Sequence, residues 1–294
     1  MKRQLQSIAF LTSVLAFLSS ESKAQVSNYN FSTSNSTYAE ITGGTVVFQG
    51  DPVNEIDDDF AAVTIPFSFS FNGSSYTTAY VNSNGAVSFG GGNSEYEYPL
   101  ENIDDESAIV AAFGTDLYSG DYPASTITAQ TIGTAPNRTL VIQWKNWQTL
   151  NQNDSSNLNF QIRLNEAGGI AANQSVQFSY GLIYLDALTD LTDVQVGLRG
   201  LSVTDYVNRF STTGWQSTTA GTDIEDYVET SADLLPVNGQ LITYTQATPL
   251  AINLKDITAI NLGSSNKIAW SSAHEDKGDR YILERSNDGN PLFR

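Results

Sequence analysis

The side chains able to do chemistry in this chain are mostly carboxylates. Asp and Glu number 32 against 14 Lys and Arg, for a formal net charge of −18. Asp57, Asp58 and Asp59 stand in a row, and Asp104, Asp105, Glu106 and Asp116 follow. Adjacent carboxylates repel one another unless water or a cation neutralises them. Calcium prefers several oxygen ligands from flexible loops, which these acids could supply. No stretch has the spacing of an EF-hand loop. Two readings stay open: a calcium site drawn from Asp57, Asp58, Asp59, Asp104, Asp105 and Asp116, or solvated loop charge. Nothing else calls for a cofactor.

Aromatic residues supply the second chemistry. Tyr96, Tyr98, Tyr118 and Tyr122, with Trp147 and Trp215, offer flat faces on which the apolar C–H side of a sugar can stack. Trp144 shares a face with Leu140 and Ile142 and is expected in the core. Trp147, at a strand end, and Trp215, in a loop, suit a surface role better. The other reading is core or rim packing, since aromatics dominate sandwich interiors. Nucleophilic catalysis finds little support. The single histidine, His274, lies in a polar, acidic stretch, whereas a Ser-His-Asp triad needs a histidine beside its serine. There is no cysteine, which removes thiolate catalysis, disulfides and cysteine–zinc sites. G-x-S-x-G, H-E-x-x-H and phosphate-loop patterns do not occur. Paired carboxylates, as in glycoside hydrolysis, remain open through Glu40, Glu95, Glu97, Glu101 and Glu166, with no spacing to pair them.

The elements that must position these groups are strands. Ile65, Phe67, Phe69 and Phe71 alternate with Pro66, Ser68 and Ser70, the period of a half-buried strand. Asn72-Gly73 and Asn84-Gly85 tolerate positive φ and turn the chain between this strand and two more. Residues 108–113 form a continuous apolar run, as a strand buried on both faces does. Leu140 to Trp144, Leu158 to Leu164, Val176 to Tyr180, Val194 to Leu198 and Leu241 to Thr245 repeat the alternation. No 3.6-residue period is sustained. The fold class is therefore all-β, an antiparallel jelly-roll-like β-sandwich with a short, incomplete second β unit.

Residues 1–24 read as a signal peptide: Lys2 and Arg3, an apolar run over 8–18, and Ser22-Lys23-Ala24 before a cut. The run is too short to span a bilayer, so no membrane insertion is expected after cleavage. The sandwich is assigned to residues 25–245, a linker to 246–249, and the second unit to 250–294. Only 45 residues follow Pro249, and an immunoglobulin-like sandwich needs about 100, hence the expectation of an incomplete unit. The acidic balance disfavours nucleic acid and anionic membranes as partners.

Several segments carry a resemblance. TYAEITGGTVV at 37–47, the block IPFSFSFNGSSYTTAYVNSNGAVSFG at 65–90, VGLRG at 196–200 and NRFSTTGWQSTTAG at 208–221 resemble the N-terminal sandwich of secreted modular proteins of Bacteroidetes-type bacteria. The middle strands, IQWKNW and NFQIRLNEAGGIAANQSVQFSYG, are similar to the nidogen-type extracellular β domain. The tail resembles the opening of a fibronectin type III-like domain through Trp270, the acidic loop at His274-Glu275-Asp276, and Glu284-Arg285-Ser286. The resemblance implies architecture and secretion and transfers no catalytic residue. Such proteins usually end in a type IX secretion sorting domain, before which this chain stops.

The functional expectation is a secreted, non-enzymatic interaction or adhesion module whose partner is a glycan or a surface protein. Binding is expected in the loops at 90–107 and 118–125, because a rigid scaffold leaves loops free to vary. A carbohydrate-active enzyme or its accessory carbohydrate-binding domain is the alternative, and a purely structural spacer the third reading.

Overall fold

A computed structural model describes residues 14–16, 25–50, 53, 55–92, 97–102, 108–120, 124–150, 156–185, 192–246, 254–263, 265–272 and 284–286. The chain divides into two compact units, residues 23–248 and residues 1–22 with 249–294. In chain order the strands are β1 (Val14–Ala16), β2 (Asn30–Asn35), β3 (Thr45–Gln49), β4 (Phe60–Phe71), β5 (Ser74–Asn82), β6 (Ala86–Phe89) and β7 (Ala108–Gly114). They continue as β8 (Leu117–Tyr118), β9 (Thr126–Thr134), β10 (Asn137–Thr149), β11 (Leu158–Asn165), β12 (Ser175–Tyr180) and β13 (Thr192–Arg199). The last are β14 (Tyr206–Phe210), β15 (Thr219–Ala220), β16 (Val228–Thr230), β17 (Gln240–Thr245), β18 (Leu254–Asn261), β19 (Asn266–Ser272) and β20 (Glu284–Ser286).

The larger unit is an antiparallel β-sandwich. Its first sheet runs β2-β17-β12-β11-β10-β9-β3, with β8 also on β10; its second runs β15-β14-β13-β7-β6-β5-β4, with β16 also on β13. Both are largely meanders, β9 to β12 in the first and β4 to β7 in the second, because turns such as Asn72-Gly73 (φ 49° and 73°) reverse the chain locally. Alternation sends one side of each strand inward. Ile65, Phe67, Phe69 and Phe71 of β4 are buried, as are Leu158, Phe160, Ile162 and Leu164 of β11. β7 is buried along its whole length, as its unbroken apolar run predicts.

Aromatic stacking fills the space between the sheets. Phe113 of β7 lies 5.6 Å from Phe160 of β11, and Phe160 stacks on Trp144 at 4.9 Å. The Tyr180 hydroxyl donates to the Ala112 carbonyl at 2.7 Å, so the buried phenol is paired and ties the sheets together. At the sandwich margin the Arg138 guanidinium holds Glu166 through Nε (2.7 Å) and Nη2 (2.6 Å), and reaches across to the Pro66 carbonyl at 2.6 Å. That fork spans both sheets and lies over the Phe67 ring at 5.4 Å. It also holds the Glu166 carboxyl below its ordinary range.

The smaller unit contains the β18–β19 hairpin, with Ile257 opposite Trp270, and the β1–β20 ladder, with Val14 opposite Ser286. The expected apolar leader thus contributes a three-residue strand; its basic start and the Ala24 cut lie outside the described residues, as do 247–249 of the expected linker and His274. Among the described residues, no helix is long and apolar enough to cross a membrane.

Candidate functional site

Three of the acidic residues come together. The connection between β3 and β4 carries Asp57 and Asp58, and the link between β7 and β8 carries Asp116. Carboxylate oxygens of Asp57, Asp58 and Asp116 all lie within 4.8 Å of one another. The buried Ser83-Asn84-Gly85 turn is the device that joins these segments. The Asn84 amide donates to Asp58 Oδ1 at 3.0 Å, and its carbonyl oxygen accepts from the Leu117 N–H at 2.8 Å. Ser83 Oγ accepts from the Asp59 N–H, and Ser119 Oγ accepts from the Ile56 N–H. Asp58 adopts φ 51°, a left-handed conformation that Asp tolerates better than most residues.

The electrostatics follow from this crowding. Burial pushes the Asp116 carboxyl up from 3.8 to about 6, and the carboxylates of Asp57, Asp58 and Glu97 add to the shift. Burial also raises Asp57, helped by Asp58 and Glu55. Asp57 Oδ1 is shielded from solvent, and a hydrogen bond from the Asp58 backbone offsets part of the rise. Three hard oxygen donors in one place suit calcium better than any soft metal. Asp59 is not among the three, and its amide is engaged with Ser83. Asp104 and Asp105 lie outside the described residues.

The aromatic candidates divide. Tyr98 and Tyr118 are half-buried, and Tyr96 and Tyr122 lie outside the described residues. Burial, with the Glu97 hydrogen bond and nearby carboxylates, raises the Tyr98 phenol. The segment around Tyr98 is anchored to β13: Gln195 Oε1 accepts from the Leu100 N–H at 2.8 Å, and Arg199 Nη1 donates to the Leu100 and Asn102 carbonyls.

Trp147 and Trp215 are core residues, which corrects their expected surface position. Trp147 is 0% exposed and Trp215 2%. A β-bulge explains Trp147. Trp144 pairs with Phe160 and Trp147 with Leu158, so Lys145 and Asn146 together face Asn159. The extra residue, Asn146 at φ 54°, shifts the alternation and turns Trp147 inward beside Trp144. Trp215 sits in a 3-10 turn that folds under the sheets, stacks on Phe113 at 5.6 Å, and donates its indole N–H to Thr230 Oγ1 at 3.0 Å.

The carboxylates raised for sugar chemistry are dispersed. Glu40 pairs with Lys145, Glu101 accepts from Gln195 Nε2 at 2.6 Å, and Glu166 pairs with Arg138; Glu95 lies outside the described residues. Sequence reasoning missed a groove that brings together Tyr38, Asn146, Asn157, Asn159 and Tyr184. Its one sequence signal was the asparagine-rich stretch leading into β11.

A family model described as NIDO related matches residues 28–246, which span the sandwich, and the chain belongs to this nidogen-related family. No curated protein and no solved structure matches the chain.

Proposed function

We propose that this nidogen-related sandwich is a secreted, non-enzymatic interaction or adhesion module of a bacterial extracellular or surface protein, with calcium at Asp57, Asp58 and Asp116. The observation that carries the reading is the meeting of Asp57, Asp58 and Asp116, whose carboxylate oxygens lie within 4.8 Å of one another. Every charge raising Asp116 is another carboxylate. Such a cluster suits holding a cation, and a nucleophile–base pair would need different company. Asp116 stands two residues before Tyr118, and Glu97 directly before Tyr98. A cation at the cluster would therefore steady the two segments that carry the half-buried tyrosines and arrange them for a glycan or protein partner. Family membership and the sequence features of the leader support the extracellular setting.

The test uses the full chain. It pairs capture on a glycan array and on intact bacterial cells, with calcium or with EDTA, and an assay for new reducing ends on the same glycans. Capture that weakens in EDTA, without new reducing ends, is the expected result. New reducing ends would refute the non-enzymatic reading and favour the carbohydrate-active alternative. No capture on either surface would leave the structural spacer in its place. N-terminal sequencing of the exported product should begin at Gln25.

A further inference from the structure

The groove at the β10 bulge lies apart from the acidic cluster and has a different chemistry. Four segments build it, one of them the turn before β17 that carries Asn238. A strap after β2 contributes Tyr38 and Glu40, and it is pinned to the outer face of the first sheet. The Ile41 N–H donates to Gln143 Oε1 at 3.0 Å, and Gln161 Nε2 donates to the Ala39 carbonyl at 2.9 Å. The Tyr38 ring crosses Gly181 so closely that a Cβ there would stand 2.7 Å from a ring carbon. The β10–β11 pair contributes Asn146, Asn157 and Asn159. The segment after β12 alternates buried Ile183 and Leu185 with outward Leu182 and Tyr184, which are 70% and 53% exposed. The cavity holds about 560 Å³, within the usual range for small-molecule sites.

The three asparagines form a preset array. Asn159 Nδ2 donates to Asn157 Oδ1 at 2.6 Å and to the Leu182 carbonyl at 2.8 Å; Asn157 Nδ2 donates to Asn146 Oδ1 at 3.3 Å. Asn146 Nδ2 donates to the Ala124 carbonyl, and its backbone N–H donates to Asn159 Oδ1. Each carboxamide has two N–H donors and two acceptor lone pairs. After these bonds, Asn146 and Asn157 each keep one donor, and all three keep an acceptor lone pair. Held side chains lose little freedom when a ligand arrives. Donors and acceptors alternating over a few ångströms match vicinal hydroxyls, each of which both gives and takes a hydrogen bond. The exposed Tyr184 ring and Leu182 offer the apolar surface that the C–H face of a pyranose needs.

Charge narrows the class. Glu40, the ionisable acid lining the groove, is already paired with Lys145 at 2.5 Å. The chain as a whole carries −18, which opposes a polyanion. We infer that this groove binds a neutral hexopyranose oligosaccharide, stacked on Tyr184 and hydrogen-bonded by Asn146, Asn157 and Asn159. The inference rests on the interaction-module reading and adds to the tyrosine-bearing segments a second site, one for a neutral glycan.

The experiment is calorimetric titration of the full chain with cellohexaose, laminarihexaose and mannohexaose, with hexagalacturonate as the anionic control. At least one neutral hexasaccharide should bind and hexagalacturonate should not. Tyr184→Ala and Asn157→Ala should each weaken that binding by about tenfold. Tyr184→Ala should keep the parental melting temperature, because the ring is exposed. Binding unchanged in Tyr184→Ala overturns the groove and leaves the module. So does failure of all three neutral sugars while the array still captures the chain. New reducing ends from a bound hexasaccharide whose binding Tyr184→Ala weakens would sink the module reading and leave the groove standing.

Discussion

Asp116→Asn tests the electrostatics of the acidic cluster most directly. In the folded chain the carboxyl titrates near 6, against an ordinary value of 3.8. An acid whose folded value is raised binds its proton more tightly in the folded state. Its contribution to stability is complete below about pH 4 and is lost as pH rises through 6. A shift of about two units corresponds to ~3 kcal/mol if it acted in full. Asp116 is only half-buried, so solvent screening takes that to ~1.5 kcal/mol. In a sandwich of this size that is a melting shift of ~3–6 °C. The assay is a thermal melt of parent and variant in EDTA from pH 4 to pH 7.5. Asp116→Asn should melt with the parent at pH 4 and above it at pH 7.5. Millimolar calcium should then raise the parent more than the variant, because the variant has lost a ligand. A variant that melts at or below the parent at pH 7.5 in EDTA would refute the argument. So would a parent-to-variant gap that does not grow with pH.

Other outcomes follow from particular contacts. Trp147→Ala should cost about 3–5 kcal/mol in denaturant unfolding, since it empties a fully buried indole site. Gly85→Ala should cost more than about 1 kcal/mol, because φ is +75° and a Cβ would stand 2.1 Å from the Phe113 carbonyl oxygen. Arg138→Met should lower the melting temperature at pH 7, and part of that effect should disappear in acid, the bond to the Pro66 carbonyl being independent of Glu166. The arginine hydrogen bonds hold Glu166 below its ordinary value of 4.5, so the stabilisation is present above 4.5 and is lost as pH falls through the folded value. A gap between Arg138→Met and parent that persists undiminished at low pH would count against this.

Strand identity was legible because it is local. The alternation of Ile65, Phe67, Phe69 and Phe71, and of Leu158 to Leu164, depends only on side chains two residues apart pointing the same way. The turn chemistry of Asn72-Gly73 was legible for the same reason. Asn84-Gly85 was read correctly as a turn, but its main work was not visible. It is buried and uses its carboxamide to bind Asp58 and the Leu117 amide at once. Trp147 was misplaced because it was read as a strand end, whereas β10 runs on to Thr149 and a bulge turns the indole inward. Asn146 was the only local hint, a residue that tolerates the left-handed conformation a bulge requires.

The candidate sites show where local reasoning stops. Composition determined that the chain is acidic and free of cysteine, and alternation along the sequence that it is built of strands. Only the tertiary structure brought Asp116 to Asp57 and Asp58, because it is some sixty positions away and meets them through the packing of two loops on one buried turn. The groove of Tyr38, Asn157 and Tyr184 is more remote still from any pattern, since Tyr38 stands 119 positions before Asn157 in the chain. Periodicity decides which way a side chain points within its strand. Which strands lie side by side, and so which side chains meet, is decided by the closing of the sheets on one shared core.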